Sequence, residues 1–339
     1  MAFADLVLAF GDLEQVISNL TETALQCMII MKMVLIKYSG TLRETIMMAT
    51  NELMEDAFSQ SAEKKIYLFY ITVAKKFFKV PCIFAICATT AYHWMPMQAQ
   101  IYAALTNQTV PMLLPYRTHV PIELTDLTTY IFIWIYQLPV IYLNTFQIPG
   151  VSLGITLVLN ASGHLAILKT RIRRIERING VVNVQVELVD SIRRYLQIAR
   201  YVKLINKSFR IILLEEVVIM TVCTALGCYT LLVYSDLSNG IYFMVFIVYM
   251  VGMLLPLYGY CFVGEYLITQ SEHVHDAYYH CDWLNLSLSV RKSLILCLIG
   301  TKNPLQLTAG GFYRFSLGGF TTIIKTAMAY FSMLRTLAL

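Results

Sequence analysis

The sequence predicts an all-α fold: a polytopic membrane helical bundle of about six spans, with its C-terminus extracellular. Three observations predict it. Of 339 residues, 58% are hydrophobic and 14% are charged, where an ordinary soluble domain is about a quarter charged. Mean hydropathy is +0.62. Apolar runs close to the ~20 residues of a spanning helix recur along the chain, and lysine and arginine crowd into alternate connections between them.

The opening "MAFADLVLAF" has an acid inside its apolar run and no basic lead, unlike a signal peptide. Residues 13–37 form the weakest span, since they include Glu14, Glu22 and Lys32. The connection 38–79 holds Arg43, Lys64, Lys65, Lys75, Lys76 and Lys79 and should be cytoplasmic. A span over 77–97 follows. Segment 98–127 has Arg117 beside Glu123 and Asp126 and should lie outside. The run 128–148, extendable to 159, returns inward, and Pro139 should kink it.

The connection 160–210, with "KTRIRRIERIN" and "RRYLQIARYVKLINKSFR", reads as a cytoplasmic basic helical connection. Its segment 169–177 is a solvated helix extension, with contact to membrane lipid as a side effect. Spans over 211–234 and 241–264 flank a short outer link, 235–240. Region 265–303 is a cytoplasmic anchor. Within it the run 284–300, interrupted by Arg291 and Lys292, packs at the inner face rather than spanning. The last helix, 316–338, runs outward. Residues 1–339 thus make a single transmembrane helical domain.

The net charge of +5 follows the membrane topology and gives no reason to invoke nucleic acid. The eight cysteines lack CxxC or disulfide-framework spacing and read as buried apolar thiols. Of four N-x-S/T sequons, Asn206 and Asn285 fall on the inner side and Asn19 is too near the membrane, which leaves Asn107 as the glycosylation acceptor. His273, Asp276 and His280 share a helical face, but charged groups on a cytoplasmic helix need no metal. Glu215 and Glu216 sit at the inner end of a span, where nearby arginines should meet them. No GxSxG, HExxH, P-loop or paired-carboxylate pattern occurs, so neither a catalytic site nor a cofactor is expected.

The last helix is unusual. At 100° per residue, Thr326, Ala329, Met333, Thr336 and Leu337 fall within about 60° of Thr322. Ile323, Ile324, Met328, Phe331 and Leu334 occupy the other face. The small, weakly polar stripe suits either a helix-packing seam or a water-filled path closed by Met333 and Leu337. Lys325, at the stripe's edge, should face a hydrated vestibule or pair across a helix interface.

"PLQLTAGGFYRFSLGGFTTIIKTAMAYFSMLR", residues 304–335, closely resembles the C-terminal signature of insect odorant receptors. "GEYLITQSEHVHDAYYHCDWLNL", residues 264–286, resembles the same family's segment in Ser271, a tyrosine at 278 or 279, and Trp283. Gustatory receptors share the architecture, but their last helix has a tyrosine followed six residues on by Gln-Phe. Here Tyr330 is followed by Thr336-Leu337, which favours the odorant branch. The resemblance implies seven spans, a cytoplasmic N-terminus and an extracellular C-terminus, with residues 1–12 resembling the tail of the first span.

It also implies a non-selective cation channel in the plasma membrane of an olfactory dendrite, gated by a small volatile odorant. The channel would be a heteromeric tetramer with a shared odorant co-receptor. Met333, Thr336 and Leu337 would then form the extracellular gate, with Thr322, Thr326 and Ala329 below it. A secondary transporter would instead need internal repeats, and a G-protein-coupled receptor the opposite orientation.

In the outer halves of the spans, Tyr92 and Trp94 face the pocket region together with Tyr130, Trp134, Tyr136, Phe246 and Tyr249. Apolar, aromatic lining with a few polar groups suits a small ligand, and His93 and Gln137 supply polarity. An interfacial aromatic belt needs the same residues. The four-residue spacing of Tyr130 and Trp134 puts both on one face.

Overall fold

A computed structural model describes residues 13–53, 60–106, 112, 114–115, 126–175, 181–234, 240–281 and 287–338. Helix α1 (Leu13–Tyr38) ends at Ser39, whose extended backbone starts a new helix. The Ser39 hydroxyl accepts from the Leu42 amide at 3.1 Å, an N-cap that opens α2 (Gly40–Met47). The chain bends by 63° there, and α2 runs on into a π-helical turn, Met48–Glu52.

Helix α3 (Ser61–Thr106) contains the expected span 77–97 and carries Pro81 and Pro96 inside it. Helices α4 (Leu127–Tyr136) and α5 (Leu138–Ile175) are separated at Gln137. That is the break expected from Pro139, which removes one amide donor and crowds the carbonyl four residues back. Helix α6 (Val181–Tyr234) has 54 residues. At 1.5 Å per residue it is about 80 Å long, against a hydrocarbon core of roughly 30 Å. The expected span 211–234 is only its second half. Helices α7 (Gly240–Tyr279) and α8 (Leu288–Thr301), a hairpin of β1 (Thr308–Ala309) and β2 (Tyr313–Arg314), and α9 (Leu317–Ala338) complete the order.

The expected spans 13–37, 77–97, 211–234 and 241–264 each fall inside one helix, 128–148 is divided between α4 and α5, and 316–338 begins one residue before α9. On length and hydropathy, Leu127–Ile175, Val184–Cys228 and Met250–Tyr279 qualify singly, and the bent pair Thr23–Tyr38 with Gly40–Asn51 makes a fourth. Regions 77–97 and 316–338 are helical but more polar. Their threonines satisfy themselves: Thr89 and Thr90 donate to the carbonyls of Ala85 and Ile86, each at 2.6 Å.

The core is centred on α5, which packs against α1, α3, α6 and α7. Much of it lies at the basic end of the bundle. Leu165, Leu168 and Ile172 of α5 meet a core shared by Leu188, Ile198, Val202 and Ile205 of α6 and Val274 and Tyr278 of α7. The connection 160–210 is therefore built of extensions of α5 and α6 that contribute a core of their own.

Simple solvation does not describe the basic segment 169–177. The buried Glu63 carboxylate of α3 accepts from Arg171 at 2.8 and 3.3 Å, and Arg174 pairs with it at 3.0 Å. A carboxylate removed from water demands such compensation. The thiols are also more varied than expected. Cys223, Cys261, Cys281 and Cys297 are buried, whereas Cys27 and Cys87 are exposed on the chain's surface. Burial pushes the Cys297 thiol up to about 11, which keeps it protonated.

Candidate functional site

The outer aromatic cluster forms where the second half of α3 meets α4. Tyr130 and Trp134, one turn apart, are both buried, with Ile133 between them and Gln137 below. The Trp134 ring lies 4.4 Å from His93 and 5.1 Å from Trp94, edge-on to the latter. Its indole N–H donates to the His93 carbonyl at 3.1 Å. Of the two pairs at four-residue spacing, Tyr130 with Trp134 is buried and Phe132 with Tyr136 is not. Tyr92, Trp94, Phe132 and Tyr136 are exposed to differing degrees on the isolated chain. The side chains of Phe246 and Tyr249 lie outside the described residues, as does Asn107. Trp134→Phe keeps the ring and loses the donor. It is expected to cost about 0.5–1.5 kcal/mol, read as a small fall in the thermal midpoint of the detergent-solubilised chain.

The closing helix is positioned by its turn. Gly310 and Gly311, at φ 62° and 90°, make the reversal between β1 and β2, a backbone region costly for side chains with a Cβ. Asn206 of α6 anchors the strand before it, donating to the Gln306 carbonyl and accepting from the Thr308 amide, both at 2.9 Å. This sequon asparagine is thus a bracket for the hairpin, and Asn19 is buried. Gly264 of α7 lets the backbone of Phe315 approach closely: a Cβ there would sit 2.4 Å from the Phe315 carbonyl oxygen. Next to it, Glu265 accepts from the Leu317 amide at 3.1 Å, at the first residue of α9.

Ser271 and Tyr278 also have structural tasks. Ser271 accepts from the Leu305 amide at 2.9 Å, and Tyr278 donates to Ser191 at 3.1 Å. Tyr279 is exposed, and Trp283 lies outside the described residues. His280 spends its Nδ1 on the Asp276 carbonyl at 2.8 Å, its own helix's preceding turn.

Once docked, α9 turns Ile323 and Ala327 into the bundle. Thr322, Lys325, Thr326, Ala329 and Met333 are exposed on the other side. Lys325 is therefore not a buried cation within this chain. The Thr322 and Thr326 hydroxyls donate to the carbonyls of Gly318 and Thr322 at 3.1 and 2.9 Å. Among the described residues, Thr322, Thr326 and Ala329 are exposed rather than packed as a seam on another helix. The side chains of Thr336 and Leu337 lie outside the described residues.

Between these regions lies a cluster not expected from sequence. Lys32 of α1 and Glu216 of α6 form a fully buried ion pair. The expected arginine partner for Glu216 is thus replaced by a lysine of the first described helix. Among the described residues, the second Glu216 oxygen, both Glu215 oxygens and the Tyr260 hydroxyl have no hydrogen-bond partner. Gly150 and Gly154 make the room, with Cβ positions 3.2 Å from the Lys32 stem and 3.0 Å from the Tyr260 ring.

A family model described as 7tm Odorant receptor matches residues 12–328. The chain belongs to that family. Odorant receptor 2a of Drosophila melanogaster is 24% identical over 184 residues, which are 51% of this chain and 46% of that protein. Odorant receptor 33b of the same fly is 23% identical over 206 residues, 57% and 54% respectively. The matches span about half the length of these curated relatives. The backbone is similar to the structure of the insect olfactory receptor OR5 from Machilis hrabei in complex with eugenol. The TM-score is 0.82 at 15% identity, over 99% of this chain and 85% of that one. At that identity the likeness is one of fold: a helical membrane bundle. This member of the odorant receptor family is a multi-pass membrane protein, and its relatives are receptors rather than enzymes.

Proposed function

We propose that this chain is an odorant-tuning subunit of a ligand-gated, non-selective cation channel. The observation that carries the reading is the exposed face of α9 in a chain of the odorant receptor family. Thr322, Thr326, Ala329 and Met333 are uncovered there, and an uncovered polar stripe on a membrane helix needs water or a partner subunit. Four such helices, some from a shared odorant co-receptor, would enclose a path. Met333, Thr336 and Leu337 form its extracellular gate.

The ligand is a small volatile, held in the outer half by Tyr130 and Trp134 with Tyr92, Trp94, Tyr136, Phe246 and Tyr249 around them. The similar receptor from Machilis hrabei is solved with eugenol, which supports a ligand of that size. Such a ligand gates only if it binds the open arrangement more tightly than the closed one. The lysine and arginine distribution supports a cytoplasmic basic end, with regions 160–210 and 265–303 inside and the C-terminus outside. The family favours the plasma membrane of a sensory dendrite, and Asn107 is the glycosylation acceptor.

The test is a current recording in cells that express the chain with the co-receptor, against a panel of volatiles that includes eugenol. An evoked cation current, altered in selectivity or rectification by Thr326→Val, is expected. A surface-expressed chain that leaves the co-receptor's own response unchanged to every volatile would defeat the reading.

A further inference from the structure

Between α2 and the β1–β2 hairpin, α6 leaves one strip of its surface uncovered. At 100° per residue, Arg200, Lys203, Lys207 and Arg210 fall within an arc of about 80°, and all four are exposed. Ile211, Val218 and Val222 continue the strip and are exposed as well. Ser208 marks one border, where its hydroxyl meets that of Thr45 of α2 at 3.0 Å. Arg210 marks the other. Its Nε donates to the Gly310 carbonyl at 3.3 Å, and its own carbonyl accepts from the Gly310 amide at 3.3 Å.

The strip changes character along its length, cationic for about 15 Å and apolar beyond. Helix α3 makes the same change, from exposed Lys75, Lys76 and Lys79 to exposed Val80, Ile83 and Ile86. The two changes lie at one level of the bundle: Phe209 of α6 packs beside Gly154, and Phe77 of α3 lies near Gly259, which itself meets Ile155. That level has the character of a membrane boundary, with outward apolar side chains for acyl chains and cations just beyond them for headgroups. On α6, Arg200 is matched by Glu44 at 3.7 Å. Among the described residues, Lys203 and Lys207 have no acidic partner. They lie between α2 and the hairpin, so a group seated on them meets cations below and a wall on either side.

We propose that this strip holds an anionic phospholipid of the cytoplasmic leaflet. The headgroup phosphate sits against Lys203 and Lys207, with Arg210 beside it, and the acyl chains run along Ile211, Val218 and Val222. The inference rests on the placement of the basic end at the cytoplasmic surface and not on odorant gating.

The test is thermal unfolding of the whole chain in dodecyl maltoside with phosphatidylserine or phosphatidylcholine added. A saturable rise in Tm of a few degrees is expected with phosphatidylserine and not with phosphatidylcholine. It should vanish in Lys203→Gln/Lys207→Gln and persist in Lys75→Gln/Lys76→Gln, which removes cations at the same level on α3. No response, the same response to both lipids, a response that survives in the α6 pair, or an equal loss in the α3 pair would each overturn the proposal. So would light scattering that shows a dimer separated by Val218→Trp whatever the lipid, since a second copy would then be the occupant. No current is recorded, so failure here is distinct from failure of odorant gating.

Discussion

Lys32→Met is expected to destabilise the chain by about 3–5 kcal/mol, because it strands the Glu216 carboxylate in the interior without its counter-charge. Both side chains are almost wholly removed from solvent. The neighbouring Glu215 cannot take over, since it is a second acid. The double variant Lys32→Met/Glu216→Leu should recover most of the loss, because it removes the desolvated charges together. Thermal unfolding of the two variants beside the parent checks this. Equal stability of Lys32→Met and the parent would mean that the ion pair contributes nothing. Equal loss in single and double variants would mean that packing of the Lys32 stem on Gly150 matters and the charge does not.

Gly264→Ala should have the next largest effect, about 1–3 kcal/mol from overpacking. The added methyl would meet a backbone oxygen at 2.4 Å. A side chain could rotate aside, but a carbonyl between the β2 strand and α9 cannot. The Phe315 amide is tied to the Leu307 carbonyl at 3.0 Å, and the Leu317 amide to Glu265. The displacement therefore passes into the start of α9. Two readouts are expected to move together: a lower thermal midpoint, and a loss of evoked current in cells where the variant still reaches the surface. A normal current at normal stability would show that the α7–hairpin contact does not position the last helix.

Much of the architecture was legible in the sequence because bilayer physics writes it there. Length and hydropathy located the helices, and Pro139 located the break between α4 and α5. The extent of α3 was not legible. Its basic N-terminal half looks like a connection to a hydropathy count, yet it continues as helix because α5 covers one face of it. The connection 160–210 was legible as helical, but not as a packed core shared by α5, α6 and α7. The charged partners were the least visible. Lys32 lies 184 residues from Glu216, and Glu63 lies 108 residues from Arg171. Spacing along the chain has no bearing on such pairs. Lys32 stood out only as a flaw in an apolar run, which was the available signal. For the aromatic cluster, four-residue spacing put Tyr130 and Trp134 on one face but could not choose between that pair and Phe132 with Tyr136; which pair is buried needed the structure. The partnership of Trp134 with His93 needed the relative placement of α3 and α4.

The hydroxyls of α9 have a consequence for whatever covers that helix. Thr321, Thr322 and Thr326 each commit their proton to a carbonyl one turn back. What remains to face outward is lone pairs. The strip is thus a run of oxygen acceptors at helical pitch, a surface that can replace part of a hydration shell. Its polarity is directional: it welcomes a partially dehydrated cation or an N–H and offers no hydroxyl proton to an anion. A valine at any of these positions would keep the shape and erase that sign preference, and a serine would keep the preference but loosen its register.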